Sequence, residues 1–427
     1  MYDRARTSQV DEEVTMGRLR VGHLWLIAYR DLGRNKRRSL LCLVAVSLGL
    51  ALLIMMAGLV AGEVSGILRN GIELQTGHVQ LRDADYDEDK LSLQWEDLLG
   101  DPVAKAAEIR RIAGVQAATP VLWASGIVNA RSESVGVRVS GIDPGAPVYE
   151  RLRAGIVAGR PVGADDRSGI MMGQELASSL GLAVDDRVSL VVSTANQRVD
   201  EAVFDIRGLF STGVPGFDDA TVFMPISKAQ AITRVDDRAS AIVVMLYDED
   251  AASNVAAELA GADTAVMTWM EMNSVLLDAL EISSSFMALL NLVVLAVVAV
   301  VVANTLLMAV FERTREMGIL ASLGMKGRQI LFMFMLQALT LGLAGIAVGQ
   351  AVGLGAIAYL MRTGINIGDT ASATSSNILL GSVIYPEIPM SDLLPLSAMG
   401  LAIILVTAVY PAWFAARLEP IEALRHQ

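Results

Sequence analysis

Four long apolar runs without a charged residue constrain the fold of this chain more than any other feature. They are Leu40–Gly62, Ile282–Phe311, Gln329–Met361 and Leu393–Ala416. About 20 apolar residues cross the hydrocarbon core of a bilayer, so each run is long enough for a transmembrane helix. The first run is too long for the apolar region of a cleaved signal peptide. We therefore predict four transmembrane helices, called spans one to four, at 40–62, 283–311, 329–361 and 393–416.

The segment between spans one and two differs from the rest of the chain in charge. Residues 63–282 carry 18 basic and 34 acidic side chains, whereas the whole chain of 427 residues has 34 basic and 46 acidic ones. Strand-like and helix-like patterns alternate in this segment, which predicts a large soluble α/β (α+β) domain. Apolar residues at helical spacing continue from span one and lead into span two. They predict helical stalks above the membrane, with separate amphipathic helices on its surface as the alternative.

The positions of Lys and Arg predict which parts of the chain face the cytoplasm. Basic residues precede span one, lie between spans two and three, and follow span four. Because short cytoplasmic loops are enriched in Lys and Arg, we expect residues 1–39, 312–328 and 417–427 on the inner side of a bacterial inner membrane. The domain at 63–282 and the loop at 362–392 are then outside, in the periplasm. The cytoplasmic N-terminus is expected to include a short interfacial helix.

Within the outer domain, the order of the predicted elements indicates two subdomains. Two βαβ-like units at its ends can form one sheet, and residues 135–233 between them are expected to be an insertion that forms a second subdomain. Residues 213–219 have the Gly and Pro content of an exposed loop. Pro215 and Phe217 in this loop are candidates for contact with a periplasmic partner, and an ordinary connection is the alternative.

Composition disfavours several classes of chemistry. One Cys and three scattered His do not make a conventional zinc site, and we find no catalytic or metal-binding pattern in the sequence. The phosphate-binding pattern G-x-x-x-x-G-K-[ST] does not occur, so we expect any nucleotide to be bound by another chain. The acidic net charge of −12 disfavours a nucleic-acid partner. Because the spans hold no acidic or basic residues, an ion-driven transporter is also disfavoured.

The loop between spans two and three has the pattern of a short capped helix. Glu312 and Glu316 lie at its start, Gly324 follows its last apolar residue, and Lys326 and Arg328 come just beyond. Acidic residues at the start, with Gly and basic residues at the end, match the preferences of the helix dipole and the C-cap. We predict a docking surface for a cytosolic protein, and a surface connection is the alternative.

The same loop resembles a sequence found in the FtsX-like, MacB-type permeases of ABC transporters. The family pattern E-R-x-R-E-x-G-I-L-x-x-L-G is matched between Glu312 and Gly324. The C-terminal pattern Y-P-A-x-x-A-A-x-x-x-P-x-E-A-L-R is matched between Tyr410 and Arg425, and a similar entry to span one starts at Arg34. The order of one span, a large outer domain and three further spans is also similar, so the resemblance covers nearly the whole chain.

The resemblance implies a permease subunit without enzymatic activity of its own, whose coupling helix binds a cytosolic ABC ATPase. ATP and Mg are then used by that ATPase, and no cofactor binds this chain. The family also implies a second permease chain, identical or related, and an outer domain whose porter subdomain is interrupted by an insertion called Sabre. The residues implied to couple the permease to the ATPase are Glu312, Arg313, Arg315, Glu316, Gly318, Leu320, Leu323 and Gly324.

The length of the N-terminal segment moves the resemblance toward one group within the family. Only 39 residues precede span one, so no ATPase is expected to be fused there as in the MacB efflux pumps. This favours the lipoprotein-releasing permeases LolC and LolE. In that group the partners would be a lipoprotein substrate, a periplasmic carrier and the membrane lipids.

Two spans contain features that bear on the substrate and on helix packing. Leu53, Met55, Met56 and Leu59 in span one form an apolar, methionine-rich surface that can line a cavity for acyl chains between two permease chains. Contact with membrane lipids is the alternative. Glycines at 345, 349 and 353 in span three allow close helix contact, which we expect within one chain rather than at a dimer interface.

These observations together predict an ATP-driven permease, with lipoprotein release from the inner membrane as the preferred function. The alternatives are export of a peptide or of a hydrophobic small molecule, and FtsX-type regulation of a periplasmic partner in cell division. A receptor is less favoured, because only short segments are predicted in the cytoplasm.

Overall fold

A computed structural model describes most of the chain. The described residues are 36–87, 91, 93–130, 133–261, 263–322, 325–368 and 379–417. They divide into two compact units. We call residues 62–281 together with 364–385 the head, and the described residues of 36–61, 282–363 and 386–417 the membrane unit. The interfacial helix expected before span one lies outside the described residues.

Helices of very different length occur in the two units. In chain order they are α1 (Lys36–Gly71), α2 (Pro102–Ile109), α3 (Glu150–Ala154), α4 (Gln174–Ser179), α5 (Pro215–Asp218), α6 (Ile226–Thr233), α7 (Ala252–Leu259), α8 (Trp269–Met272), α9 (Ser274–Glu312), α10 (Thr314–Ser322), α11 (Gly327–Thr363) and α12 (Met390–Ala416). Four of them, α1, α9, α11 and α12, are long and apolar enough to cross a membrane. The prediction of four transmembrane helices is confirmed.

Two of the four long helices continue from an apolar run into the head, as the stalk prediction requires. Helix α9 has 39 residues, and its last turns before the apolar run, 274–281, belong to the head. At 1.5 Å per residue it is about 58 Å long, whereas the hydrocarbon layer is about 30 Å thick. A capping box between Thr268 and Glu271 starts the preceding short helix α8 and ends strand structure at this point.

The glycines of span three pack against span one of the same chain. A Cβ atom built at Gly345 would lie 2.5 Å from Val46 Cγ1, and one at Gly349 would lie 2.9 Å from the Ser47 carbonyl oxygen. Only a residue without a side chain permits this approach of α11 to α1. The contact expected within one chain is therefore present, and these glycines face inward.

The described strands of the head form one large mixed sheet and two short pairs, one of which is made by residues 364–385. In chain order the strands are β1 (Val79–Asp83), β2 (Leu99–Gly100), β3 (Val115–Ala130), β4 (Glu133–Ile142), β5 (Ile156–Gly159), β6 (Gly169–Gly173), β7 (Arg187–Ser193), β8 (Val199–Phe210), β9 (Thr221–Pro225), β10 (Arg238–Ala239), β11 (Ala241–Leu246), β12 (Thr264–Thr268), β13 (Ile365–Asn366) and β14 (Val383–Ile384). The large sheet has the order β12-β1-β11-β3-β4-β9-β6-β8-β5, and β7 pairs with β3 and β8.

The long strand β3 belongs to both predicted subdomains. Its first half pairs with β11, from Val115 opposite Leu246 to Val121 opposite Ala241. Its second half pairs with β4, from Leu122 opposite Gly141 onward. The two βαβ-like units at the ends of the head therefore lie in one sheet, and strands from residues 135–233 continue the same sheet beyond the second half of β3.

The strands of the insertion share an apolar core with the second half of β3. Fully buried side chains of β6, β7 and β8 pack together there, including Ile170, Met172, Leu190 and Phe204. Each such side chain contributes roughly 1.5–3 kcal/mol by leaving water. Since alternate residues of β7 are buried, the period-two pattern that predicted this strand also identifies its core face.

Candidate coupling site

The loop predicted to bind an ATPase contains a short helix, α10, between α9 and α11. The chain turns at Arg313, where the Arg313 N–H donates to the Val310 carbonyl (3.2 Å) and the Thr314 hydroxyl donates to the Phe311 carbonyl (2.9 Å). The Met317 N–H then donates to the Arg313 carbonyl (2.9 Å), which closes the first turn of α10. The threonine hydroxyl thus satisfies a carbonyl left open at the end of α9.

One face of helix α10 packs against the ends of the long helices, and another face is exposed. Met317 is buried in a cluster with Val310 of α9, Phe334 of α11 and Ala412 of α12. Because three long helices contribute to this cluster, α10 is held by the ends of all of them. On the open face lie Arg315, Glu316, Ile319 and Ser322. Ile319 is therefore an exposed apolar side chain with polar neighbours on this face.

The predicted coupling residues do not all share this open face. Glu312, Arg315 and Glu316 are exposed, whereas Arg313 and Gly318 are buried. An ATPase contact through the Arg313 side chain would therefore have to be indirect. The side chain of Leu320 and both Leu323 and Gly324 lie outside the described residues. Their part in coupling stays a prediction.

Ile319 also lies on this surface, although it was not among the residues predicted to couple the permease to the ATPase. Its side chain is 46% exposed, an unusual position for isoleucine. The helical spacing contained a signal, because Ile319 lies three residues after Glu316 and so shares its side of the helix. The family pattern alone does not separate exposed from buried positions.

Span one exposes a continuous apolar stripe. Its members are Leu41, Val44, Leu48, Leu52 and Met56, at spacings of three and four residues on one face of α1. Met55 and Leu59 are partly exposed at the end nearer the head. Their predicted role in an acyl-chain cavity stays a prediction.

For Leu53, the fourth residue proposed for that cavity, the prediction is wrong. Leu53 is only 2% exposed and packs inside the membrane unit with Ile54, Leu295 and Ile346. Its side chain points away from the exposed stripe and is buried. Leu53 therefore cannot line a cavity between this chain and another.

The expectation of an exposed partner loop at 213–219 is wrong. Residues Pro215 to Asp218 form the short helix α5, and the side chains of Pro215 and Phe217 are buried. The Phe217 ring lies 6.0 Å from the Phe223 ring and 6.5 Å from the Phe210 ring, in an aromatic cluster of the head core. Burial of a large aromatic surface outweighs the local preference of Gly and Pro for exposed turns. Pro215 and Phe217 are therefore not exposed for contact with a periplasmic partner.

Two titratable groups of the head have shifted pKa values: His78, which is partly buried, and Asp218, which is buried. His78 Nδ1 accepts a hydrogen bond from the Leu246 N–H (2.9 Å), so this nitrogen is engaged by the backbone of β11. Burial lowers the pKa of His78, although Glu249 and Glu73 oppose the shift. Burial raises the pKa of Asp218 to about 6. Among the described residues, no group of three His, Cys, Asp or Glu is placed to hold a metal ion.

Comparison with known families identifies both parts of this architecture. The MacB-like periplasmic core domain matches residues 39–262, which is more than half of the chain, and the FtsX-like permease C-terminal domain matches residues 288–420. The chain belongs to this family of ABC transporter permeases. The family resemblance stated from the sequence is confirmed.

Individual relatives of the permease come from two groups of the family. It is 24% identical to a lipoprotein-releasing system transmembrane protein LolC of Neisseria meningitidis, over 95% of this chain and 98% of the relative. It is 30% identical to a macrolide export ATP-binding/permease protein MacB of Syntrophobacter fumaroxidans, over 39% of this chain and 21% of the relative. The crystal structure of the periplasmic region of MacB from Actinobacillus actinomycetemcomitans has a TM-score of 0.34 and 16% identity, and covers 49% of this chain and 97% of that one.

Proposed function

We propose that the permease couples ATP hydrolysis by a separate cytosolic ATPase to movement of its head, and that this movement releases lipoproteins from the inner membrane. The exposed face of α10 carries the coupling part of the proposal. Ile319 is exposed on α10, and Met317 of the same helix packs against the ends of three long helices. A push on this face would therefore reach α9, α11 and α12 together.

The orientation of the chain follows from the same proposal. An ATPase that binds α10 places residues 312–328 in the cytoplasm, in agreement with the distribution of Lys and Arg. The head is then in the periplasm. The exposed stripe of α1 is available to a second permease chain or to lipid.

The substrate assignment rests on one relative. The match to the LolC protein runs over nearly the full length of both chains, so the head and all four spans have counterparts there. Export of a small hydrophobic molecule is the second candidate, because a MacB relative with macrolide export in its name also matches the chain.

Two substitutions on α10 test the coupling proposal in the complex of permease and ATPase. Glu316→Lys reverses a charge on the open face, and Ile319→Asp places a charge at its apolar centre. We expect each to lower substrate-stimulated ATP hydrolysis about tenfold or more, equivalent to about 1.4 kcal/mol of lost contact. The control is Arg362→Ala, an exposed charge at the opposite end of α11. Stimulated hydrolysis that is normal in both α10 variants would contradict the proposal, and a loss confined to Arg362→Ala would reverse the orientation.

The substrate is tested by what the complex retains without ATP. Mass spectrometry of the complex purified in the absence of nucleotide should show an acylated polypeptide bound in stoichiometric amount. A complex that instead retains a small hydrophobic molecule would favour the second candidate.

A further inference from the structure

The connection between spans three and four belongs structurally to the head. Helix α11 ends at Thr363 and α12 begins at Met390, yet residues 364–385 cluster with the head rather than with the membrane unit. Gly364 follows α11 with φ +66°, the left-handed conformation that ends many helices. Strands β13 and β14 then pair, and the Ile367 N–H donates to the Ser382 carbonyl at 2.8 Å. The described ends of the connection are thus ordered by their own hydrogen bonds.

The second half of this connection makes specific contacts with the head at residues 379–382, which we call the strap. The Asn70 side chain near the end of α1 donates to the Leu379 carbonyl at 2.8 Å, and Asn70 is only 7% exposed. The Ser382 N–H donates to the Gly213 carbonyl at 2.8 Å. Leu379 itself is 6% exposed in the buried cluster that contains Val214 and Phe217. A loop resting loosely on a surface does not bury a leucine or satisfy a buried amide.

The segment that receives the strap is itself firmly held. The Thr212 N–H and hydroxyl both donate to the buried Asp218 carboxylate, at 2.9 and 2.7 Å. The Arg151 guanidinium donates to the Thr212 carbonyl at 3.1 Å and forms an ion pair with Glu73 at 2.8 Å. Glu73 lies in the single π-helical turn that directly follows α1. The strap, the end of the first stalk and the base of the insertion therefore meet in one joint.

From this geometry we propose that the strap is a permanent mechanical link, through which spans three and four act directly on the insertion. The mechanical role rests on the proposed function, whereas the attachment itself does not. In this arrangement the head receives motion from all four spans: from spans one and two through α1 and α9, and from spans three and four through Leu379 and Ser382. The strap contacts residues 211–218, which connect the end of β8 to the start of β9. Motion of the strap would therefore act on this connection.

The attachment is tested by hydrogen exchange in the full-length permease. Leu379→Asp places a charge in the buried cluster, and Leu380→Asp makes the same change at the neighbouring, partly exposed position. We expect Leu379→Asp to speed exchange about tenfold or more in peptides covering 211–218 and 379–385, through local opening. Peptides covering β1 and β11 should be unchanged and show that the head remains folded. Equal exchange in the two variants would overturn the proposal, whether or not the protein is a transporter.

The permanence of the link is tested with a disulfide. A Cβ atom built at Gly381 lies 3.7 Å from Asn70 Nδ2, so the side chains of Asn70→Cys and Gly381→Cys would be neighbours. Gly66→Cys with Gly381→Cys is the matched control one turn earlier on α1, since a Cβ at Gly66 has no neighbour within 4 Å. In a background with Cys42→Ala, we expect the first pair to cross-link readily and the second to cross-link poorly.

The cross-linked permease then reports on the mechanism. With its ATPase, the oxidised Asn70→Cys and Gly381→Cys protein should keep its ATP-driven activity within about twofold of the reduced protein, because a permanent link does not open. Leu379→Asp should lose substrate movement while Leu380→Asp keeps it. Absence of the cross-link, or an activity that stops on oxidation and returns on reduction, would overturn the proposal.

Discussion

The buried carboxylate of Asp218 makes the stability of the head depend on pH in a specific direction. The side chain is 1% exposed, and burial raises its pKa from 3.8 to about 6 even though Thr212 and Ser211 donate hydrogen bonds to it. Glu175 nearby adds to the upward shift. The folded head therefore binds this proton more tightly than the unfolded chain. Its contribution to stability is complete below pH 3.8 and is lost as the pH rises through about 6.

The size of this effect follows from the shift. A rise from 3.8 to about 6 is roughly two pKa units, and each unit corresponds to about 1.4 kcal/mol. Between pH 4 and pH 7, the Asp218 proton should therefore account for up to about 3 kcal/mol of the free energy of unfolding of the head. Asp218→Asn removes the titration and keeps one oxygen that can accept from Thr212.

The assay is denaturant unfolding of the solubilised permease at several pH values, followed by tryptophan fluorescence. Trp123 is a suitable reporter, because it lies in the same buried cluster as Phe217. The stability of the Asp218→Asn protein relative to the native one should increase as the pH rises from 4 to 7. Asp219→Asn is a graded control, since Asp219 is more exposed although burial also raises its pKa. A difference between native and Asp218→Asn proteins that stays constant over this range would refute the argument from burial.

Two further predictions concern helix packing and the joint. Gly349→Val should lower the free energy of unfolding of the solubilised permease by about 1–3 kcal/mol through overpacking, because a Cβ there would lie 2.9 Å from the Ser47 carbonyl oxygen. Gly355→Val, where a Cβ has no neighbour within 4 Å, should leave stability nearly unchanged in the same measurement. A double-mutant cycle of Arg151→Ala and Glu73→Ala should give a coupling energy of at most about 1 kcal/mol, since both side chains are about a third exposed.

Elements whose signal is local could be predicted from the sequence. Strand β3 runs from Val115 to Ala130, and its β-branched residues locally favour an extended chain. The four spans follow from run length alone, and glycine spacing predicted that α11 packs closely within the chain, although not that α1 is its neighbour. In each case the decisive residues are neighbours in the sequence.

The errors concern contacts between residues far apart in the chain. The Gly and Pro residues around Phe217 favour a turn, and they do form a short helix, but its burial is decided by Phe223, Phe210 and Leu379. No local pattern identifies Leu379 as a core residue, since the partner of its carbonyl, Asn70, is 309 positions away. A similar limit applies to Leu53, whose side of the helix is set by neighbours from other spans.

Helix α11 connects the two ends of the proposed mechanism. Four residues separate the end of α10 from its start, and the strap lies in the connection that follows its last residue. Its 37 residues form a helix about 55 Å long, and its glycines pack closely against α1. We therefore expect α11 to move as one helix when α10 is displaced. On this view the inward-facing glycines are part of the transmission, because a side chain at 349 would separate α11 from the helix that guides it.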